Sequence, residues 1–327
     1  MLLVGGWVRG RRIATASGTL VMGLVACRTS PAGKRADVAR ALVAIDADGD
    51  TVRLNQPAQR VVSLVPSATE MVIALGATSQ LVGRTRYDRD PALASVPSVG
   101  GGIDPNLEQL TALRPDLVLL WEGKHGSAVR AGIDARGITS YATPIRDTAA
   151  VFSTTAALGH LLGRDSAAAA LADHAHTQLA AVRQSVAGRP TPTVLFAIWG
   201  DPPMTVGPRT FIAELIRVAG GRNAFDDAAT DWPQVSMEEI VARAPGVILL
   251  SVGEDRHGGA ERLMTTPGWR DLPAVRAGRV IEVPADLTNR PGPAIGDVAQ
   301  LFRDAIHPEA KGSVPATPAG VHADVPR

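Results

Sequence analysis

Only one of the 327 residues is cysteine, Cys27. A single thiol excludes an internal disulfide, a cysteine-based zinc site and an iron–sulfur cluster. Aromatic residues are scarce as well, at 4%, so a ring outside a core carries information by its position. Charge of one sign is missing too. The 33 Lys and Arg balance 32 Asp and Glu, which argues against nucleic acid as a partner, because a phosphate binder carries a basic face large enough to move the total. Enzyme signatures are absent: there is no GxSxG elbow, no phosphate loop and no HExxH. His174 and His176 stand two apart on a helical stretch and so face different sides, while His125, His160, His257 and His307 lie in unrelated contexts. No metal site is expected from them.

What is present begins with an export segment. Arg9, Arg11 and Arg12 precede an uncharged run from Ile13 to Ala26. That run is too short to span a bilayer and ends in small residues, as a secretory signal does. Leu24-Val25-Ala26-Cys27 resembles the lipobox of bacterial lipoproteins, which predicts cleavage after residue 26 and a lipid on Cys27. The protein is then exported and anchored at the membrane, in the periplasm or on the outer face of the cytoplasmic membrane. Removing 1–26 takes away three Arg and no acid, so 33 less three leaves 30 basic residues against 32 acidic. Residues 27–58 read as a linker with one short hairpin at Ala44–Leu54 around Asp48-Gly49, and residues 308–327 as a tail.

The 45% hydrophobic content supports ordinary cores, and the length suggests about two domains at roughly 150 residues each. A repeat locates them. Asn106–Trp121, NLEQLTALRPDLVLLW, matches Ser236–Ser251, SMEEIVARAPGVILLS, at a constant offset of 130: Glu108 with Glu238, Leu110 with Ile240, Pro115 with Pro245. Each copy reads as a capped helix stopped before Pro and followed by a buried strand. Around them, strands at 60–65, 81–84 and 138–143 and a helix at 68–75 are predicted in the first half. Strands at 193–199 and 279–283 and a helix at 210–219 are predicted in the second. The fold class is therefore α/β: two similar lobes with parallel sheets, at 59–147 and 189–307. Residues 148–188 are rich in Ala, contain no Pro before residue 190 and carry apolar residues at helical spacing. They predict one long connecting helix, with a bend or break near Gly163-Arg164, and hence lobes that open by only a modest angle.

Tyr87, Trp121 and Trp199 each follow a predicted strand, and Trp232 stands in a loop before the second repeat helix. Ligands of parallel α/β sheets bind outside the carboxyl ends of the strands. Several rings in loops of both halves favour an aromatic-lined cleft over isolated lobe caps. Gly200–Gly207, GDPPMTVG, is a stiff turn that either presents backbone groups to a ligand or only connects elements. Glu108 and Glu238 sit in the first turns of the repeat helices, where the helix dipole alone accounts for them. Their pairing across two lobes also suits matched docking charges.

Val61–Leu75 (VVSLVPSATEMVIAL), NLEQL at 106, RPDLVLLW at 114, GDPPMTVG at 200 and WPQVSMEEIVARAP at 232 together resemble the substrate-binding proteins of bacterial ABC importers for cobalamin, iron siderophores and haem. The likeness runs from about Arg60 to His307 and is greatest to the cobalamin-binding members. It implies two α/β lobes joined by a long helix, a monomer without catalytic residues, and no cofactor other than the cargo, a corrinoid. By position it implies that Tyr87, Trp121 and Trp232 contact the corrin. Glu108 and Glu238 would dock onto arginines of the transmembrane subunits. This chain departs from the pattern where Gly100-Gly101-Gly102 replaces a Trp before NLE. A further departure is DLTNRPGP at 286, which leaves Asp286 and Arg290 as polar contacts; Trp199 only approximates the aromatic of its strand. A pocket so changed suits an altered corrinoid, such as one without the usual lower ligand. A ferric siderophore or haem receptor is the second expectation, with Arg86, Arg209 or Arg290 meeting the chelate's charge. A chelatase-like enzyme is a third.

Overall fold

The computed structural model describes residues 41–144, 146–198, 202–253 and 258–310. Cys27, the export segment, Trp199 and the chain from 311 onward lie outside the described residues.

The first lobe opens with an antiparallel hairpin, β1 (Leu42–Ile45) and β2 (Thr51–Leu54), turning at Asp48-Gly49 with Gly49 at φ 88°. Val52 and Leu54 are buried in the main core, and the Asp46 carboxylate accepts from the Ala142 amide at 3.1 Å and pairs with Arg130. The hairpin is thus part of the lobe, which corrects the linker expected to run to residue 58. Buried side chains and strand pairing bind it where a tether would have neither.

Then follow β3 (Val61–Ser63), α1 (Pro66–Ala74), β4 (Leu81–Gly83), α2 (Leu107–Ala112), β5 (Leu117–Trp121), α3 (Lys124–Asp134) and β6 (Ser140–Thr143). The helices α4 (Thr148–Leu161) and α5 (Asp165–Ser185) lead to the second lobe. It contains β7 (Thr193–Ile198), α6 (Phe211–Val218), β8 (Arg222–Asn223), α7 (Met237–Arg243) and β9 (Val247–Val252). After these come α8 (Gly259–Thr265), α9 (Pro273–Arg276), β10 (Val280–Pro284), α10 (Ala285–Thr288) and α11 (Ile295–Ile306). The sheets run β4-β3-β5-β6 and β8-β7-β9-β10, every pairing parallel. Counted from each lobe's first sheet strand, both orders are 2-1-3-4.

The repeat extends to the backbone. Arg114 and Ala244, 130 apart, are the only non-glycine residues at positive φ among the described residues, at 47° and 44°. Each precedes a Pro, whose ring crowds the right-handed helical conformation of the residue before it, so the helix ends there and the chain turns into its strand.

Alternation along the strands sorts the core. Leu117 and Leu119 of β5, and Val247 and Leu249 of β9, face one hydrophobic cluster that runs through both lobes by way of α4, α5, α6 and α11. Val118 and Leu120 face a cluster confined to the first lobe, and Ile248 and Leu250 one confined to the second. A period of two sends neighbours to opposite faces, and both faces are covered, as parallel sheets require.

The expected single connecting helix is instead two. Leu162-Gly163-Arg164 breaks it, with Gly163 at φ 68° and its α-carbon facing Pro57 closely enough that a Cβ would stand 2.9 Å away. Phe152 stacks on His176 at 3.9 Å, and Gly159 abuts Ala168, so α4 and α5 run antiparallel as a helical hairpin. From α5, Gln178 reaches Asp297 of α11 at 2.8 Å. The joint is therefore a packed helical layer continuous with the shared core. The second lobe also extends past 307: Ala310 is buried and Glu309 pairs with Arg189 at 3.1 Å, so the tail expected from 308 begins later.

Candidate ligand-binding site

Where the strand order reverses, loops leaving neighbouring strands diverge and open a crevice outside their carboxyl ends. The reversal lies at β3 in the first lobe and at β7 in the second, and each carries a pocket. The first, about 620 Å³, is lined by Leu64 and Pro66 after β3, Arg86 and Tyr87 after β4, Trp121 at the end of β5, and Gly102–Asp104. The second, about 440 Å³, is lined by Ala197 and Ile198 of β7, Leu250 of β9, Pro202 and Pro203, and Val235–Met237 at the start of α7.

Tyr87 is set by a turn: the buried Asp88 carboxylate accepts from the Thr85 amide at 2.7 Å and hydroxyl at 2.6 Å, and Thr85 Oγ1 accepts from the Tyr87 amide at 3.1 Å. The Tyr87 ring is left half exposed, with the Arg86 guanidinium 5.1 Å from its centroid. Arg86 also pairs with Asp104 at 3.1 Å. Tyr87 first, and then Asp104, push the Arg86 pKa above its ordinary value.

Trp121 depends on a missing side chain. A Cβ on Gly102 would lie 2.6 Å from the indole Nε1 and 2.4 Å from the Leu64 carbonyl. The glycines that stand in place of a Trp therefore let this indole and the β3 loop close on the pocket floor.

Trp232 is 41% exposed. Its loop is held at the carboxyl end of β7, because Met204 bridges Ile198 and Gln234 and the Thr205 amide donates to Pro233 O at 3.0 Å. Asp231 beside it pairs with Arg209 at 3.0 Å.

Asp286 and Arg290 lie elsewhere than a free ligand contact would. Arg290 spans the lobes, pairing with Glu70 of α1 at 2.8 Å and with Asp286 at 2.9 Å, against a pocket of about 490 Å³ that both lobes line. Glu70 is the residue that sequence reasoning missed. It is the only charge in the apolar run 61–75, and burial pushes its pKa up even though Arg290 opposes the shift. Among the described residues no group of three or more His, Cys, Asp or Glu is arranged to hold a metal ion.

Glu108 and Glu238 are both exposed and have no side-chain partner among the described residues. The capping is done by others. Asn106 Oδ1 accepts from the amides of Glu108 and Gln109, and Ser236 and Glu239 form a capping box.

Two lobes of one topology, each with a crevice at its strand reversal and joined by a packed helical layer, define a two-lobed ligand receptor. The chain belongs to the periplasmic binding protein family, whose profile matches residues 61–287, and within it to the ABC-importer substrate-binding proteins that the sequence resembles. It is 31% identical to the cobalamin-binding protein of Halobacterium salinarum, over 88% of this chain and 83% of that one. The solved periplasmic vitamin B12 binding protein of Vibrio cholerae superposes with a TM-score of 0.68 at 26% identity, covering 78% of this chain and 99% of that one. A periplasmic heme binding protein from Pseudomonas aeruginosa does so at 0.68 and 28%, covering 78% and 94%. No described helix is long and apolar enough to cross a membrane.

Proposed function

We propose that this protein is a non-catalytic receptor, anchored by a lipid on Cys27, that captures a corrinoid between its lobes and delivers it to an ABC importer. The observation that carries the corrinoid is the pairing of rings with neutralised charge. Tyr87, Trp121 and Trp232 offer flat apolar surface, while Arg86, Arg209 and Arg290 are each already held by a carboxylate. A large planar ligand with an amide periphery suits such a site, because aromatic faces supply contact and the paired polar groups meet amides without an unpaired charge being buried. Asp286 and Arg290 of the second lobe, the latter paired with Glu70 of the first, line the separate pocket where the lobes meet, and Trp199, next to Ile198 in the sequence, is proposed as a further ring. Glu108 and Glu238, exposed and without a side-chain partner among the described residues, would meet arginines of the transmembrane subunits. Titration with cobalamin and cobinamide, followed by Trp fluorescence, tests the reading: quenching that saturates near one equivalent is expected, and no response to either ligand sinks it.

One observation favours a second reading, haem. Tyr87 lines the first-lobe pocket, and Tyr is one of the residue types that hold haem iron. Hemin that binds wild type with a tyrosinate charge-transfer band, and loses it in Tyr87→Phe, decides for haem over a corrinoid.

A further inference from the structure

Asp104 stands on the rim of the first-lobe pocket with its carboxylate folded back over Gly101, where a Cβ would lie 1.8 Å from Oδ1. A side chain at residue 101 would oblige the carboxylate to move from there. From there Oδ2 reaches Arg86 at 3.1 Å, and the guanidinium rests 5.1 Å from the Tyr87 ring centroid. Without Asp104, Arg86 would be a cation on an aromatic rim, suited to the carboxylates of an acidic tetrapyrrole.

We propose that Asp104 is a specificity-determining residue: with Gly101 making room for it, it occupies Arg86 and so disfavours carboxylate-bearing tetrapyrroles relative to amide-bearing corrinoids. The device is one of exclusion. A ligand carboxylate must displace Asp104 to reach Arg86 and then sits beside that unpaired acid, whereas a neutral amide leaves the pair intact. Both side chains are more than half exposed, so the effect is modest and screened by salt. The inference rests on the corrinoid reading of the site, but its test does not.

Hemin, which carries two propionates, is titrated at low ionic strength into wild type, Asp104→Asn, Gly101→Ala and the double variant Arg86→Ala/Asp104→Asn. Asp104→Asn keeps the shape of the side chain. Gly101→Ala is a second route that changes no charge: its methyl would stand 1.8 Å from Asp104 Oδ1 and 3.0 Å from Arg86 Nη2, so the ion pair must give way. The expected result is hemin binding about fivefold tighter in both single variants, with the gain lost in the double variant and in 0.5 M salt, on the scale of exposed charge pairs. Hemin affinity unchanged in Asp104→Asn, or a gain that survives removal of Arg86, overturns the proposal. Failure of every corrinoid to bind would sink the function proposed above and leave this readout standing, since it is made with hemin alone.

Discussion

The two lobes share strand order, repeat unit and the N-cap of the repeat helix, yet they bring different chemistry to the carboxyl ends of their strands. The first lobe supplies a larger crevice, two rings set by a tight turn and a strand end, and an ion pair on the rim. The second supplies a smaller crevice built largely from Pro and aliphatic residues, with Trp232 on a loop. A duplicated scaffold constrains the layers and the cap positions, because burial and hydrogen bonding demand them. Loops beyond the strands bear no such demand, so the recognition surface is free to differ.

Four measurements break or sharpen that contrast. The largest effect belongs to Leu119→Ala and its repeat equivalent Leu249→Ala, both fully buried in the cluster common to the lobes. Each should destabilise by about 2–5 kcal/mol. Because the cluster is continuous, calorimetry should show one transition moving as a whole. Two separable transitions would show lobes that fold independently.

Next comes ligand affinity. Trp121→Ala should raise the corrinoid Kd by about 30-fold, equivalent to roughly 2 kcal/mol, since its indole is locked against Gly102 and Leu64. Trp232→Ala, on its exposed loop, should raise it by only about fivefold, of order 1 kcal/mol. Equal losses, measured by isothermal calorimetry, would remove the asymmetry between lobes.

Smaller again are the caps. Asn106→Ala and Ser236→Ala should each cost about 1 kcal/mol in urea unfolding. The second also loses the bond that the Ser236 hydroxyl donates to the Glu239 carboxylate at 3.0 Å, while the amide of residue 236 keeps its own bond to that carboxylate. A neutral Ser236→Ala would mean that α7 is held by packing alone.

The smallest effect is read against pH. Burial holds the Glu70 pKa above 4.5 in the folded protein, so the folded state binds the more protons between 4.5 and that raised value. Stability should therefore fall as pH rises through this window. Glu70→Gln should flatten that segment of the profile while keeping a hydrogen-bonding partner for Arg290. A profile that Glu70→Gln leaves unchanged would show that the clamp between the lobes carries no protonation cost.

Much of this was legible from residue order. The helix–Pro–strand unit at 106–121 and 236–251 was readable because caps, apolar spacing and a Pro act locally. The rings at 87 and 121 could be singled out because a scarce residue at or soon after a strand end is conspicuous, and Trp232 because it stands in the loop before the repeat helix. Of the other described aromatics, Phe196, Phe211, Phe225, Phe302, Tyr141 and Trp269 are buried in the core, and Phe152 is partly buried against His176. The break at 162–164 was anticipated at Gly163, but the reversal into an antiparallel hairpin was not, since it depends on α4 and α5 packing on each other. Helix α11 was missed although Ile295, Val298, Ala299, Phe302 and Ile306 keep helical spacing.

The sequence by itself determined the class: two parallel α/β lobes, their repeat, and the rings that lie at strand ends, all consequences of local periodicity and stop signals. Only the tertiary structure decided the charges. Arg86, Arg209 and Arg290 each find a carboxylate 18, 22 or 220 residues away in the chain. Such pairing is set by which loops converge in space, and no spacing rule along the chain encodes it.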